Sequence, residues 1–451
     1  MKSLEVYKSL CHEEKNKLIE KLWSEIQRLE SEIEVLKGQS FNKVKKTSKN
    51  SSIPPSQEKK GNKPTSQAKK RKSRQEGNKG RRLEANPNQI VVARAKQCPH
   101  CSESVNPQKL HALYEKIEIP EVKPLVTQVQ QYGDHCPHCH KDYVSPVPSG
   151  LEAGSPFGNS IQTLATYFRY AHAISYNRLS SLFKEIYHLE ISEGGLAKLF
   201  KRVNNRLEPE VEKILTRLRS SRIVCSDETS ARVNGKNEWE WVFQNDKVCF
   251  HIIRPSRGQQ VIAEVMNGNK PEIWVSDLFS SQSNHPAEKW QVCLAHQLRD
   301  CQYAIEAGDE LFATQMKMLL LRAFVIHKRR IQLKESTLYQ YRCDLKRRLK
   351  KCLESQPTQK DGVRLKKRYI KIQDNLFLFL ADASIPPTNN SSEQAIRMST
   401  MFRKVTNGFR SEWGKGLFAN IRSIINTGKR QGMSTFQSIK NALSPFKSFF
   451  S

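Results

Sequence analysis

The chain is 451 residues long, enough for two to four domains and a substantial core, and it carries a formal net charge of +30. Positive charge on that scale favours a polyanionic partner, most simply nucleic acid. No apolar run approaches the ~20 residues of a membrane span, so a membrane-embedded chain is not expected.

The opening stretch, MKSLEVYKSLCHEEK, lacks the apolar centre of an export signal, and the eleven cysteines are an odd number. A reducing, intracellular setting with free or metal-bound thiols is therefore expected. Within residues 1–39, Ile19, Ile26 and Ile33 recur every seven residues, as do Leu22, Leu29 and Leu36. Isoleucine at a and leucine at d favour a parallel two-stranded coiled coil, and hence a homo-oligomer. The alternative is an amphipathic helix docked on its own domain. Residues 40–88 read as a disordered linker. Residues 41–82 of it hold 15 Lys and Arg against Glu58 and Glu76, a net +13 suited to salt-sensitive phosphate contacts.

Residues 89–150 contain CPHC twice, at Cys98–Cys101 and Cys136–Cys139. Each pair places two thiolates on one tight turn, and two such knuckles complete a closed tetrahedral structural Zn²⁺ site. His100, His138 and His140 read as bystanders able to replace a cysteine. From 151 to 215 the pattern is helical. A helix to about His188, a short turn and a second helix capped by Ser192 suggest a helix-turn-helix, with Lys198, Lys201, Arg202 and Arg206 toward DNA. A plain helical hairpin fits the same pattern.

Residues 216–451 begin with short strands. RIVCSD is a buried strand, and Asn234-Gly235 is a type I′ hairpin turn followed by Trp239, Trp241 and Phe243 alternating on one face. KVCFHIIR is a third strand, GQQVIAEVMNG a helix stopped by Gly268, and EIWVSD a fourth strand. WQVCLAH reads as a possible fifth, feeding a helix from about Gln297. Three antiparallel strands, a helix and a strand beside the first suggest a ribonuclease-H-like fold, in which Asp227 and Asp277 end neighbouring strands. Residues 309–380 read as a strongly basic helical insertion. After Pro386-Pro387, TNNSSEQAIR opens a helix capped by Asn389 or Asn390 and placing Glu393 and Arg397 on one face.

Asp227, Asp277 and Glu393 are hard oxygen donors suited to two Mg²⁺ (or Mn²⁺) ions and phosphodiester chemistry, with Asp227 bridging. Arg397 and Lys404 stand ready to neutralise phosphates. Glu228 and Glu240 are the nearest rivals, Asp300 and Asp382 weaker ones.

SDETSARVNGKNEWEWVF, VSDLFSSQ, CLAHQLRD and TNNSSEQAIRMSTMFRKVTNGFRSEWG together resemble the DDE transposases of the insertion sequence 66 family, from about residue 90 onward. The resemblance implies that Asp227, Asp277 and Glu393 form the DDE triad of a ribonuclease-H-like catalytic domain with a helical insertion. It gives Cys293 and His296, a Cys-x-x-His after the second acid, a supporting rather than a zinc-binding role. It further implies a bacterial, cytoplasmic, nucleoid-associated enzyme acting on element ends and target DNA, with accessory proteins of the same element. Two departures stand out: Leu278-Phe279-Ser280-Ser281-Gln282 replaces a Tyr-rich stretch, and Leu294 a common Trp. Other readings are a ribonuclease-H-like nuclease without strand transfer, and a zinc-containing DNA-binding regulator whose DDE fold is inert.

Overall fold

The computed structural model describes residues 11–41, 46–47, 49–51, 83–105, 109–444 and 449. Most of the basic linker lies outside these residues. Two compact units divide the chain, one comprising residues 1–58, 129–181 and 191–451, the other residues 59–128 and 182–190.

In the larger unit, helix α1 (His12–Phe41) covers the predicted heptads. Ile19, Leu22, Trp23, Ile26 and Leu29 are all exposed, so this part of the apolar stripe is not docked on the chain's own core. Strands β1 (Gly133–His135) and β2 (Asp142–Val144) form a small antiparallel hairpin around the second CPHC turn. Helices α2 (Asn159–Ala171), α3 (Tyr176–Tyr187) and α4 (Glu193–Arg219) follow. Ser192 caps α4, its side chain accepting from the Gly195 amide at 3.1 Å. The 27-residue α4 is longer than a recognition helix needs. Its apolar stripe, from Leu196 through Phe200 and Leu207 to Leu218, is buried.

The central sheet is mixed, in the order β5-β4-β3-β6-β7. Its strands are β3 (Ile223–Val233), β4 (Lys236–Gln244), β5 (Cys249–Arg254), β6 (Ile273–Ser276) and β7 (Lys289–Val292). The first three are antiparallel, with Asp227 opposite Val242, whereas β6 and β7 join in parallel on the other side of β3. At the β3–β4 turn Asn234 (φ 47°) and Gly235 (φ 77°) both take the left-handed region, as the Asn-Gly pair predicts. Helix α5 (Gln260–Met266) ends in left-handed Asn267 and Gly268.

Helix α6 (Leu294–Glu306) starts three residues before the position expected for it, with Cys293 at its N-cap. The apolar run that suggested a strand through His296 ends at Val292, because residues 293–296 have already turned into the helix. The insertion consists of α7 (Phe312–Arg329), α8 (Glu335–Glu354) and α9 (Lys360–Ile372). Its core of Phe312, Met316, Leu320, Leu345, Leu365 and Tyr369 is continuous with Ile273, Val275 and Val292 of the sheet. The insertion is thus anchored on the sheet rather than hung from it. Finally, α10 (Asn390–Thr406) lies against β3 and β4, α11 (Glu412–Arg430) against β5 and α4, and α12 (Thr435–Ala442) closes the described fold. Between α10 and α11, Gly408 (φ 99°) backs onto the Arg232 carbonyl, where a Cβ would approach within 2.6 Å.

Candidate active site

Asp227 projects from the middle of β3, Asp277 directly follows β6, and Glu393 stands in the first turn of α10. The parallel pairing of β3 with β6 sets the two aspartates beside each other, and α10 carries the glutamate to them. Their proximity is legible in Asp227. Burial pushes its carboxyl well above the usual range, and the charges of Asp277, Glu228 and Glu393 push it further the same way. Asp227 itself is partly buried. Crowded hard oxygen donors, one of them held back from ionising by its neighbours, fit a divalent cation better than a structural ion pair does. Among the described residues no three His, Cys, Asp or Glu side chains are already gathered at metal-coordinating distance.

Glu393 is held by a residue that the sequence did not single out. Arg299 Nη2 donates to Glu393 Oε1 at 3.0 Å, and His296 Nε2 lies 3.7 Å from the same oxygen. Cys293, His296 and Arg299 recur every three residues at the start of α6 and so share one face. Buried Cys293 is a hub. Its Sγ accepts from the Asn389 amide at 3.1 Å and lies 3.3 Å from His296 Nδ1, while burial pushes the thiol up to about 11. Burial, then the charge of Arg299, holds His296 below its ordinary value. Asn389 occupies the N-cap of α10, yet its side chain does not cap. Its Nδ2 donates to the Ser226 carbonyl at 2.7 Å, and its Oδ1 accepts from Ser392 Oγ at 2.6 Å. The residue expected to cap the helix instead ties the α10 N-terminus to the backbone beside Asp227, because that buried carbonyl needs a donor.

The rival acids have other occupations. Glu228 points to the opposite face of β3, where Arg257 (2.8 Å) and Gln282 (2.8 Å) hold it. Gln282 also takes a bond from Trp274 Nε1 at 3.1 Å and donates to Ser226 Oγ at 3.2 Å. The departure loop thus braces the back of the strand that carries Asp227. Glu240 is fully buried, bonded to His251 (2.9 Å) and Ser399 (2.7 Å). Asp300 pairs with Arg368, and Asp382 with Arg222. Asp382 is pulled down to about 2, first by the Ser384 hydroxyl.

Arg397 and Lys404 are exposed on α10, whereas the adjacent Arg403 bonds back to Ser230 at 3.2 Å. On α4, Lys198, Lys201 and Arg202 are exposed. Arg206 turns inward instead, giving its guanidinium to Asn159 (2.6 Å), Gln162 (3.0 Å) and the Leu443 carbonyl. Its place on the helix faces α2, so it locks helices together.

The two CPHC segments, taken separately, fold alike. Cys98 N–H donates to the Glu103 carbonyl at 2.7 Å, and Ser102 N–H to the Cys98 carbonyl at 2.9 Å. Cys136 N–H donates to Lys141 and His140 N–H to Cys136, both at 2.9 Å. Backbone amides lower the leading thiol of each turn, His100 foremost at Cys98 and Cys139 foremost at Cys136. Thiols held toward thiolate on a tight turn are the donor chemistry that zinc requires.

No described helix is long and apolar enough to cross a membrane. No curated protein matches the chain at a significant level. The model of the IS66 transposase family matches residues 154–416, which span every strand and helix just assigned to the acid site and more than half the sequence. With that match over more than half of its length, the chain belongs to the IS66 family of DDE transposases.

Proposed function

We propose that the chain cuts DNA at the ends of a mobile element and joins the freed ends to target DNA, with Asp227, Asp277 and Glu393 as the catalytic acids. The observation that supports the reading is that β3, β6 and α10, three separate elements, bring Asp277 and Glu393 near enough for their charges to act on the buried carboxyl of Asp227. The strand order, three antiparallel strands followed by two parallel ones, supports assigning the domain to the ribonuclease-H-like class.

Two Mg²⁺ or Mn²⁺ ions held by these acids would supply activation of the attacking oxygen and stabilisation of the leaving oxygen. Asp227, whose carboxyl feels the charge of both other acids, would be one of the residues holding the ions. Arg299 and His296 orient Glu393, and Cys293 with Asn389 fixes the α6 and α10 termini that carry them. In the first step water attacks the phosphodiester at an element end and the P–O3′ bond breaks. The element strand keeps a free 3′-hydroxyl and the flank a 5′-phosphate. In the second that hydroxyl attacks a target phosphodiester, and the departing target oxygen takes up a proton. Arg397 and Lys404 are exposed to meet the phosphates.

Apart from this chemistry, Cys98, Cys101, Cys136 and Cys139 would hold a structural Zn²⁺. Lys198, Lys201, Arg202 and the basic linker would grip element ends, and α1 would pair protomers. Accessory proteins of the same element are further expected partners, and a bacterial nucleoid the expected location.

The test is Mg²⁺-dependent nicking and joining of DNA taken from the flanks of the gene, comparing wild type with Glu393→Gln. Loss of both activities with DNA binding intact supports the assignment. Equal activity in both proteins removes Glu393 from the site, and cutting without joining in the wild type reduces the enzyme to a nuclease.

A further inference from the structure

A second face of α10 borders a cavity of about 1100 Å³. Ser391, Gln394, Ala395 and Met398 line it, whereas Glu393 and Arg397 lie round the helix toward the acids. The other walls are the end of α4, the start of β3, the β4–β5 turn and the last two turns of α11.

Its charge is one-sided. Arg217, Arg222, Lys247, Arg422, Lys429 and Arg430 line the cavity against a single acid, Asp246. Arg222 is committed to Glu272 and Asp382. Arg430 is bound by uncharged oxygens, among them the Asn245 carbonyl at 3.0 Å and the Asn426 carbonyl at 2.9 Å. Arg422 is the telling residue. Only 2% exposed, it donates from Nη2 to Asn426 Oδ1 at 3.0 Å, and its Nε has no partner among the described residues. The strongest opposing charge acting on it is that of Glu240, whose Oε1 is bonded by His251 and Ser399 and whose Oε2 makes no hydrogen bond, to Arg422 or any other group, among the described residues. A buried guanidinium without a bonded counter-charge is costly, and an oxyanion offering two acceptors to its planar fork removes that cost. At about 1100 Å³ the volume lies just above the roughly 300–1,000 Å³ of small-molecule sites, ample for more than an isolated ion.

We propose that this cavity is a phosphate-ester site, taking the phosphates of a nucleotide or of a nucleic-acid strand on Arg422, with Lys247, Lys429 and Arg430 around it. The site uses none of the three acids and needs no divalent cation, so it stands or falls separately from the catalytic assignment.

The experiment is titration calorimetry on the full chain, with no divalent cation added, using pyrophosphate, AMP and a short single-stranded oligonucleotide. The variants are Arg422→Gln and the double variant Lys247→Gln/Lys429→Gln, the latter remote enough from the core to keep the fold if the former does not. A control double variant, Lys350→Gln/Lys351→Gln on exposed α8, removes equal charge elsewhere. Saturable binding that weakens roughly tenfold or more in the cavity variants but not in the control supports the site. AMP binding displaced by pyrophosphate but not by the oligonucleotide marks a nucleotide pocket; displacement by the oligonucleotide marks a strand path. The proposal is overturned if no probe saturates, or if the cavity double variant binds every probe as tightly as the control.

Discussion

At the scale of single residues, the site is a balance between like charges and the groups that restrain them. Asp227 is an acid whose folded-state pKa is raised, so in the metal-free chain this one group holds its proton more firmly when folded than when unfolded, and its own contribution to stability has the corresponding sign. That contribution is therefore full below the ordinary Asp range and falls as pH rises toward the raised value. Asp227→Asn should accordingly raise the metal-free melting temperature at pH 7 by about 2–4 °C, roughly 1 kcal/mol, while abolishing cleavage. A drop in melting temperature would show that the carboxylate is not strained by its neighbours. Arg299 makes the opposite contribution, a cation 3.0 Å from Glu393 that both orients the carboxylate and competes with a metal for it. Arg299→Gln should lower the maximal rate about tenfold yet reduce the half-saturating Mg²⁺ concentration. An unchanged Mg²⁺ profile would confine Arg299 to packing. Neither Arg299 nor the side chain of Asn389 was readable as a site group, since each acquires its partner from an element roughly a hundred residues or more away in sequence.

At the scale of elements, local chemistry was a good guide where it closes on itself. Asn234-Gly235 made its turn and Ser192 its cap, because a left-handed pair and an N-cap hydroxyl act within three or four residues. The strand expected to run to His296 stopped at Val292, since periodicity does not separate a short buried strand from the first turn of a helix. The two CPHC turns likewise repeat one local hydrogen-bond pattern. If they share a zinc ion, metal analysis should find one zinc per chain, and Cys136→Ser should lose it and lower thermal stability by several degrees. Full zinc retention in that variant would exclude Cys136 as a ligand. Helix α1 carries its exposed stripe in a seven-residue repeat. Ile26→Asp should convert a dimer into a monomer in sedimentation at micromolar concentration. If wild type and variant sediment alike, α1 does not pair protomers.

Across the whole molecule, positive charge outweighs every other feature. The excess of +30 is spread over segments with different tasks. Some of it is engaged within the chain: Arg206 joins helices, and the exposed Arg347 and Arg348 both pair with Asp344. Residues 41–82, with 15 cations, are the largest block. Deleting them should weaken DNA binding at low salt and make log K against log[salt] shallower by several units, at roughly 0.9 for each phosphate no longer neutralised. An unchanged slope would mean that the block does not touch DNA. The insertion adds basic side chains on α8 while its apolar side continues the core of the sheet. One element thus supports α6, which holds Glu393 in place, and presents cations outward.

Features set within a few residues or by composition alone were legible before folding: the basic character, the helix and strand menu, the knuckle turns, the hairpin and the three acids as candidates. What packing adds is which carboxylates lie near Asp227 and which are engaged elsewhere. Glu228 and Glu240 are as close in sequence to Asp227 as any rival, yet one is bound behind the strand by Arg257 and the other sealed against His251. Strand pairing across fifty residues and the docking of α10 across a further hundred made that choice. Burial and bonded partners are properties of the assembled neighbourhood, and so Arg299, the tie from Asn389 and the buried Arg422, whose Nε has no partner among the described residues, emerge only when the distant segments are packed together.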